Sequence, residues 1–361
     1  MTAPVTERTT APASRSSKFA VLTATPVRRH FLGAVIGLIV VFLVLESVST
    51  FRQSQLTSVA YLAIAAGGLT VLTGINGQLS LGHGAFMAVG AYTAALILRA
   101  EDGSWAVPVV LLAATAVTTL VGLVVGIAAA RLHGPYLAGA TLALAVAVPG
   151  LALYFSEYLG GEQGLTIPSP EVPAFLDDAM FFITGNDLDS TKFISYISWV
   201  LLVVVFFLLA NVSSSRIGRR WRAVRDDEVA AELAGIDLGR ARILAFVVSA
   251  ACAGVAGAVL AMASRIAAPS GFTLVLSLTL LSAIVIGGLG TLAGALIGAA
   301  LLTYIPPVVT NLGLDAGLSS LQSAELAPLV TGIFTVLVIL FAPLGLVGSY
   351  RKWRFARKGE K

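Results

Sequence analysis

The sequence predicts an all-α integral membrane protein with about ten transmembrane helices and both termini on the cytoplasmic side. Three observations lead to this prediction: a very apolar composition, a series of helix-length apolar segments, and an uneven distribution of Lys and Arg. Of the 361 residues, 57% are hydrophobic and only 12% are charged, and the mean hydropathy is +0.91. Soluble domains carry roughly 25% charged residues. A soluble protein is therefore excluded.

The apolar segments set the number of predicted crossings. A hydrocarbon core about 30 Å thick requires about 20 apolar residues per helical crossing. Segments of this kind lie at approximately 31–49, 56–75, 79–99, 106–130, 134–158, 193–211, 243–263, 272–289, 291–310 and 326–348. The boundary between the eighth and ninth segments is blurred by three glycines, at positions 287, 288 and 290.

The distribution of Lys and Arg predicts the orientation. Cations accumulate in cytoplasmic segments because they resist translocation. With the N-terminus inside, the inner segments hold 19 of the 23 Lys and Arg residues, seven of them in the loop 212–242. The outer segments and outer helix ends hold four, namely Arg52, Arg99, Lys192 and Arg265. We therefore expect a multi-pass protein of the plasma (inner) membrane.

Besides the inner loop 212–242, three segments lie outside the predicted spans; the transmembrane domain comprises residues 31–349. Residues 1–30 are too poor in large apolar side chains to pack a core, which predicts a disordered cytoplasmic tail; a cleaved signal peptide is the alternative. The outer loop 159–192 is acidic, and either docks an extracytoplasmic partner or is a solvated connection. Residues 350–361 form a basic cytoplasmic tail.

Small residues four positions apart predict close helix contacts, because lipid offers no hydrophobic force between helices and packing must hold them together. Such spacing occurs at Gly33 and Gly37, at Gly122 and Gly126, and along positions 290, 294 and 298. The single cysteine, Cys252, lies within an apolar run, so the chain has no internal disulfide and no cysteine-based metal site. We expect no cofactor bound by this chain.

The stretch GINGQLSLGHGAFMAVGAY, residues 74–92, places polar side chains and glycines between two apolar runs. Irregular backbone at membrane depth occurs only where protein or a water-filled cavity surrounds it, and transporters present polar groups to substrate at unwound helix ends. These residues are candidates for a translocation path or its hinge, together with a helix break in the fifth segment. The alternative is helix capping and packing. The candidates are Asn76, Gln78, Ser80, His83, Gly84, Pro149 and Gly150.

The inner loop 212–242 contains the signals of a short helix of about eight residues. Asp226 or Asp227 can cap its first N–H groups, and Gly235 can adopt the left-handed conformation that ends a helix. Val229, Leu233 and Ile236 follow helical spacing. Helices below about 12 residues are marginal in water, so this one must dock onto something. The alternative is a helix on the inner face of its own bundle, with the arginines binding lipid headgroups.

This loop resembles the EAA loop of ATP-binding-cassette (ABC) transporter permeases, which inserts a coupling helix into a separate ATPase subunit. RAVRDDEVAAELAGIDLGRARILAFVVSAACAGVAGAVLA is similar to the version in branched-chain amino acid (leucine/isoleucine/valine) uptake permeases. GQLSLGHGAFMAVGAYTAALI and IGGLGTLAGALIGAALL resemble two further signatures of that family, and GGEQGLTIPSP resembles its M-type subunit. TLALAVAVPG departs from the family pattern. The resemblance implies these ATPase-coupling residues: Arg222, Asp226, Asp227, Glu228, Ala230, Ala231 and Gly235.

The function that the resemblance implies is translocation of branched-chain amino acids by alternating access. The chain has no GxxxxGK[ST] phosphate-binding loop, so ATP and Mg are expected on a partner ATPase, and this chain is not an enzyme. The implied partners are a sister permease, two ATPase subunits and an extracytoplasmic substrate-binding protein, with membrane lipid and no nucleic acid. A urea or short-chain amide permease of the same family is an alternative. An autonomous channel or ion-coupled carrier is another, although the spans hold almost no midplane charges.

Overall fold

The computed structural model describes residues 26–100, 106–132 and 134–359. Within these ranges the chain is almost entirely α-helical, with one pair of two-residue strands. The helices are α1 (Pro26–Ser47), α2 (Thr50–Leu69), α3 (His83–Ala100), α4 (Val107–Ala129), α5 (Pro135–Tyr154), α6 (Ser156–Leu159), α7 (Ala174–Thr184), α8 (Ser190–Ser214), α9 (Arg216–Asp226), α10 (Glu228–Leu233), α11 (Leu238–Ser264), α12 (Leu274–Gly287), α13 (Leu292–Asp315), α14 (Ser320–Phe341) and α15 (Gly345–Gly359).

Nine helical stretches in the described part of the chain are long and apolar enough to cross a membrane. They contain α1, α2, α4, α5, α8, α11, α12, α13 and α14. The remaining predicted span is α3, an 18-residue helix that begins at His83 and carries Arg99 in its last turn. The all-helical membrane architecture is confirmed. The tenth crossing and the orientation stay predictions.

The structure corrects the predicted boundary of the N-terminal tail. Residues 26–30 belong to helix α1, Pro26–Ser47, rather than to the end of a disordered segment. Residues 1–25 of the predicted tail lie outside the described residues. At the other end, the basic segment continues helix α15 as far as Gly359.

The acidic loop 159–192 has more structure than its composition indicates. It contains a single 3₁₀ turn, Gly161–Gln163, and the helix α7. Strand β1 (Leu165–Thr166) pairs antiparallel with β2 (Ile266–Ala267), which directly follows α11. This pairing ties the loop to the end of α11, so the loop is part of the folded domain.

Helices α2 and α11 form the buried centre of the bundle, and α11 packs against α2, α3 and α4. Glycine makes the contact between α3 and α11 possible. A Cβ atom added at Gly90 would overlap the backbone of Gly254, and one added at Gly257 would overlap the backbone of Met87. The two helix backbones therefore touch directly, which maximises dispersion contacts where lipid provides no hydrophobic force.

Two of the three predicted small-residue spacings mark close contacts. Gly122 and Gly126 face Ala250 and Phe246 of α11, and Gly294 and Gly298 face the backbone of α12. The third spacing does not. A Cβ atom at Gly33 would meet no atom within 4 Å, and one at Gly37 would reach only the Val203 side chain, at 3.6 Å. These two glycines line an open groove between α1 and α8.

Helix α1 is largely exposed and is joined to α8 by an ion pair within the apolar surroundings. The Lys192 Nζ lies 2.8 Å from the Glu46 Oε1, and the Tyr196 hydroxyl donates to the same carboxylate at 2.5 Å. The Lys192 side chain is only 10% exposed. Removal of one member of such a pair leaves a charge without compensation, so both residues are needed together.

We predict that Gly257→Ala destabilises the protein by about 1–3 kcal/mol, the range found when extra atoms are forced into a packed core. The added methyl would overlap the Met87 backbone, which cannot rotate away. The measurement is thermal unfolding of the purified protein in detergent. Gly332→Ala is the matched control, because a Cβ at Gly332 on α14 meets no atom within 4 Å. Equal melting temperatures for the two variants would contradict the close contact.

Candidate functional site

Helix α9 is anchored beneath the bundle by a buried tryptophan. The Ser215 side chain caps the helix and accepts from the Ile217 N–H at 3.1 Å. One and a half turns later, Trp221 is completely buried, and its indole Nε1 donates to the Ala241 carbonyl of α11 at 2.9 Å. This indole fixes the start of the charged loop against α11. Arg222 beside it is half-buried.

Helix α10 is the short helix predicted in the inner loop, although it has six residues rather than about eight. Of the two candidate caps, Asp227 is the one that acts: its Oδ1 accepts from the Ala230 N–H at 3.0 Å. Asp226 instead ends α9, where its Oδ1 lies 2.7 Å from the Arg225 Nη2. Gly235 follows α10 with φ +80°, the left-handed conformation that glycine adopts without strain.

One side of α10 contacts the bundle, and the side chains on the other side are exposed. Ala231 is buried, and the Glu228 Oε1 lies 2.6 Å from the Nη2 of Arg242, a buried residue of α11. On the open side, Val229 is 68% exposed and Leu233 is 85% exposed. Two large apolar side chains, one turn apart, are therefore exposed on this helix. The first turn of the helix is stabilised by the Asp227 cap and by the ion pair.

The polar turn after α2 begins where the helix widens. Residues Thr70–Ile75 form a π-helix, and the chain then turns through Gly77, which has φ +86°. The Gln78 carbonyl accepts from the Thr73 hydroxyl at 2.9 Å, and the Gln78 amide donates to the Asn76 side chain. Both polar side chains are buried. Asn76 and Gln78 thus close the turn on itself, and these hydrogen bonds do not cap α3.

The structure joins this turn to the inner loop, which the sequence did not predict. The Arg225 Nη1 donates to the Gly74 carbonyl at 2.7 Å, and the Gln78 Nε2 donates to the Arg242 carbonyl at 3.3 Å. A side chain at Gly77 would collide with that of Arg225. The two predicted sites therefore form one assembly, in which α9 and the start of α11 are hydrogen-bonded to the end of α2.

Ser80, His83 and Gly84 are buried, and two of them, His83 and Gly84, bond helix α3 to its neighbours. The His83 Nε2 donates to the Ala65 carbonyl of α2 at 3.0 Å, and the Gly84 N–H donates to the Ser277 hydroxyl of α12 at 2.9 Å. Ser80 and His83 are fully buried. The two large grooves of the described surface, between α4 and α8 and between α1 and α8, are lined by other residues. This burial favours a hinge or packing role over the lining of an open path.

Pro149 and Gly150 do not join this assembly. Helix α5 passes through both residues without interruption, and Gly150 is exposed. The contact between α5 and the turn is made by Thr141, whose hydroxyl accepts from the Leu81 N–H at 3.0 Å. Pro149 lies eight residues further along, about 12 Å at 1.5 Å per residue. The two predicted groups are therefore separate.

Sequence reasoning missed three residues of the assembly, Trp221, Arg225 and Arg242. The loop contains seven Lys and Arg residues, and a single sequence carries no signal that distinguishes the two that bind other helices from those that face solvent. Trp221 offered a weak signal, because a tryptophan among arginines is typical of a residue that is either buried or at a membrane surface.

Comparisons with known proteins identify the family of this chain. The family model for the branched-chain amino acid transport system permease component matches residues 51–342. The high-affinity branched-chain amino acid transport system permease protein LivM of Escherichia coli (strain K12) is 30% identical, over 91% of this chain and 77% of the relative. LivM of Salmonella typhimurium (strain LT2) is 29% identical, over 81% and 69%. LivH of Escherichia coli (strain K12) is 28% identical, over 79% and 91%. The chain therefore belongs to the family of branched-chain amino acid transport system permease components.

Proposed function

We propose that this chain is the M-type permease subunit of an ABC importer that carries branched-chain amino acids across the plasma membrane. The observation that carries the proposal is helix α10, with its exposed Val229 and Leu233 and its firm connection to the bundle. ATP is hydrolysed on two separate ATPase subunits. A sister permease completes the pathway, and an extracytoplasmic binding protein delivers the substrate.

The proposed topology has ten crossings with both termini in the cytoplasm. Helix α3 is the tenth: its 18 residues extend about 27 Å, close to a hydrocarbon core of about 30 Å. The contact between Arg225 and Gly74 supports this count, because it requires the end of α2 and the inner loop to lie on the same side. The strand pair of β1 and β2 requires the acidic loop and the end of α11 to share the opposite side.

Helix α10 is proposed to insert its open face into the ATPase. A six-residue helix is unstable in isolation, and the Asp227 cap together with the pair of Glu228 and Arg242 keeps it formed before the partner binds. Preorganisation of this kind reduces the entropy lost on binding. Val229 and Leu233 would each contribute about 1.5–3 kcal/mol if the partner buries them fully.

Movement of the ATPase is proposed to reach the spans through Arg225. This side chain lies next to the C-terminal end of α9, two residues before the cap of α10, and it donates to the Gly74 carbonyl at the end of α2. The π-helix there has a widened turn, and such turns are frequent at functional sites. A shift of α10 would pull on this turn and, through the bond between His83 and Ala65, on the register of α2 and α3.

We predict that Val229→Ser with Leu233→Ser lowers association with the ATPase at least ten-fold and reduces uptake in proportion, because both apolar contacts are lost. Co-purification of the ATPase and uptake in the same cells measure the two effects. Ile217→Ser, which changes an exposed apolar residue of α9 in the same loop, should leave both unchanged. Normal association in the double variant would exclude α10 as the docking helix.

We predict that Arg225→Gln uncouples ATP hydrolysis from transport. A hydrogen bond from a charged donor contributes about 1.5–3 kcal/mol, so the amount transported per ATP should fall roughly ten-fold while the ATPase remains bound. Arg225→Lys should retain part of the coupling. Arg219→Gln is the matched control, since among the described residues Arg219 donates to the Ser214 carbonyl, which lies within the same loop. An unchanged transport-to-hydrolysis ratio in Arg225→Gln contradicts the proposed connection.

The substrate is tested by uptake of labelled leucine and labelled urea, at low concentration, in cells from which this chain is deleted and then restored. We expect leucine uptake to fall on deletion and to return on restoration, with urea uptake unchanged. A response of urea uptake alone would retain the ABC permease and reject the amino acid substrate. Uptake that persists after the ATPase subunits are deleted would indicate an autonomous carrier.

A further inference from the structure

We propose that helix α7, Ala174–Thr184, is an interfacial helix that binds the hydrocarbon of zwitterionic phospholipids where α4 and α8 enter the bilayer. The proposal is independent of the transported substrate. Three features support it: an apolar groove beside the helix, a continuous apolar arc on the helix, and the acidic charge around it.

The groove lies between α4 and α8, with Val255 of α11 at its floor, and has a volume of about 700 Å³. Both walls are helices that are long and apolar enough to span the membrane, so the groove opens toward lipid. Leu176 and Met180 of α7 contribute to its lining. Helix α7 therefore packs beside a groove that faces lipid hydrocarbon.

The position of α7 is fixed at the beginning of α8. The Asp177 Oδ1 accepts from the Leu188 N–H at 2.7 Å, across the turn that connects the two helices. Leu188 is buried and lines the same groove. The helix therefore lies at the end of the spans, at the depth of the membrane surface.

The helix has one apolar arc and one acidic side. At 3.6 residues per turn, Asp177 and Asp178 fall on one side, together with Phe181. The rest of the circumference is apolar, and it runs without a break from the groove-lining Leu176 and Met180 to three exposed side chains. Those side chains are Phe175, Phe182 and Ile183, which are 70%, 90% and 65% exposed. The exposed arc is thus continuous with the lipid-facing groove.

Lipid explains this exposure better than water does. Each of these side chains would lose about 1.5–3 kcal/mol if it stayed in water instead of an apolar phase. Amphipathic helices lie in the interface plane with their apolar face in the acyl boundary, and aromatic residues accumulate at that level. The exposed Glu171, Asp178, Asp187 and Asp189 repel anionic headgroups. Binding therefore depends on apolar insertion into zwitterionic lipid.

Site-directed spin labelling tests the proposal with an internal control. The only cysteine, Cys252, is buried, so Cys252→Ala gives a background for labels at chosen positions. Ile183→Cys and Asp178→Cys place one label on the apolar arc and one on the acidic side, about 140° apart around the helix at 3.6 residues per turn. The labelled full-length chain, with its transport partners, is reconstituted in phosphatidylcholine vesicles. Uptake by each variant confirms the fold.

The measurement compares two collision rates of the nitroxide. One is the rate with oxygen, which concentrates in the bilayer, and the other is the rate with a water-soluble nickel chelate. We expect oxygen to dominate several-fold at position 183 and nickel to dominate at position 178. Substitution of half of the lipid by phosphatidylglycerol should not increase the oxygen preference at position 183. Dominance of nickel at both positions would overturn the proposal. If purified substrate-binding protein then shielded position 183, the face would be a protein-docking surface instead.

Discussion

The direct contact between the backbones of α3 and α11 is the constraint on which the rest of the structure depends. In lipid, helices associate through packing and polar contacts, and Gly90, Gly254 and Gly257 bring these two helices together without intervening side chains. Helix α11 also packs on α2 and α4, so most of the buried centre is in contact with this one helix. Its first residues carry the inner loop, and the first residues of α3 carry the polar turn. Their proximity follows from that contact.

The polar turn illustrates how irregular backbone is accommodated at the end of a span. Unsatisfied C=O groups are unfavourable where water is scarce, and here the Gln78 and Gly74 carbonyls accept from the Thr73 hydroxyl and the Arg225 guanidinium. The Gln78 side-chain amide donates to the Arg242 carbonyl of the inner loop. The turn is therefore stable only while the loop stays in place. The same hydrogen bonds thus stabilise the turn and connect the inner loop to the spans. A substitution that breaks them would affect both roles.

The sequence predicted the helical architecture well because the signal for a membrane helix is a property of a long segment. Each of the ten apolar segments coincides with a helix, and the cap and the end of α10 followed from Asp227 and Gly235. Contacts between distant segments were not predictable. Arg225 reaches Gly74 across 151 positions, and nothing in the composition of the loop selects this arginine. Helix α7 was also missed, because its acidic and proline-rich surroundings resemble those of a solvated loop.

The ion pair between Glu46 and Lys192 has a consequence for biogenesis. Helix α1 is synthesised before α8, yet α8 is the helix against which it packs most, and Lys192 follows Glu46 by 146 residues. Until α8 emerges from the ribosome, Glu46 has no Lys192 beside it, and a carboxylate buried without its partner is unfavourable. Helix α1 can therefore reach its final place only after α8 has been synthesised.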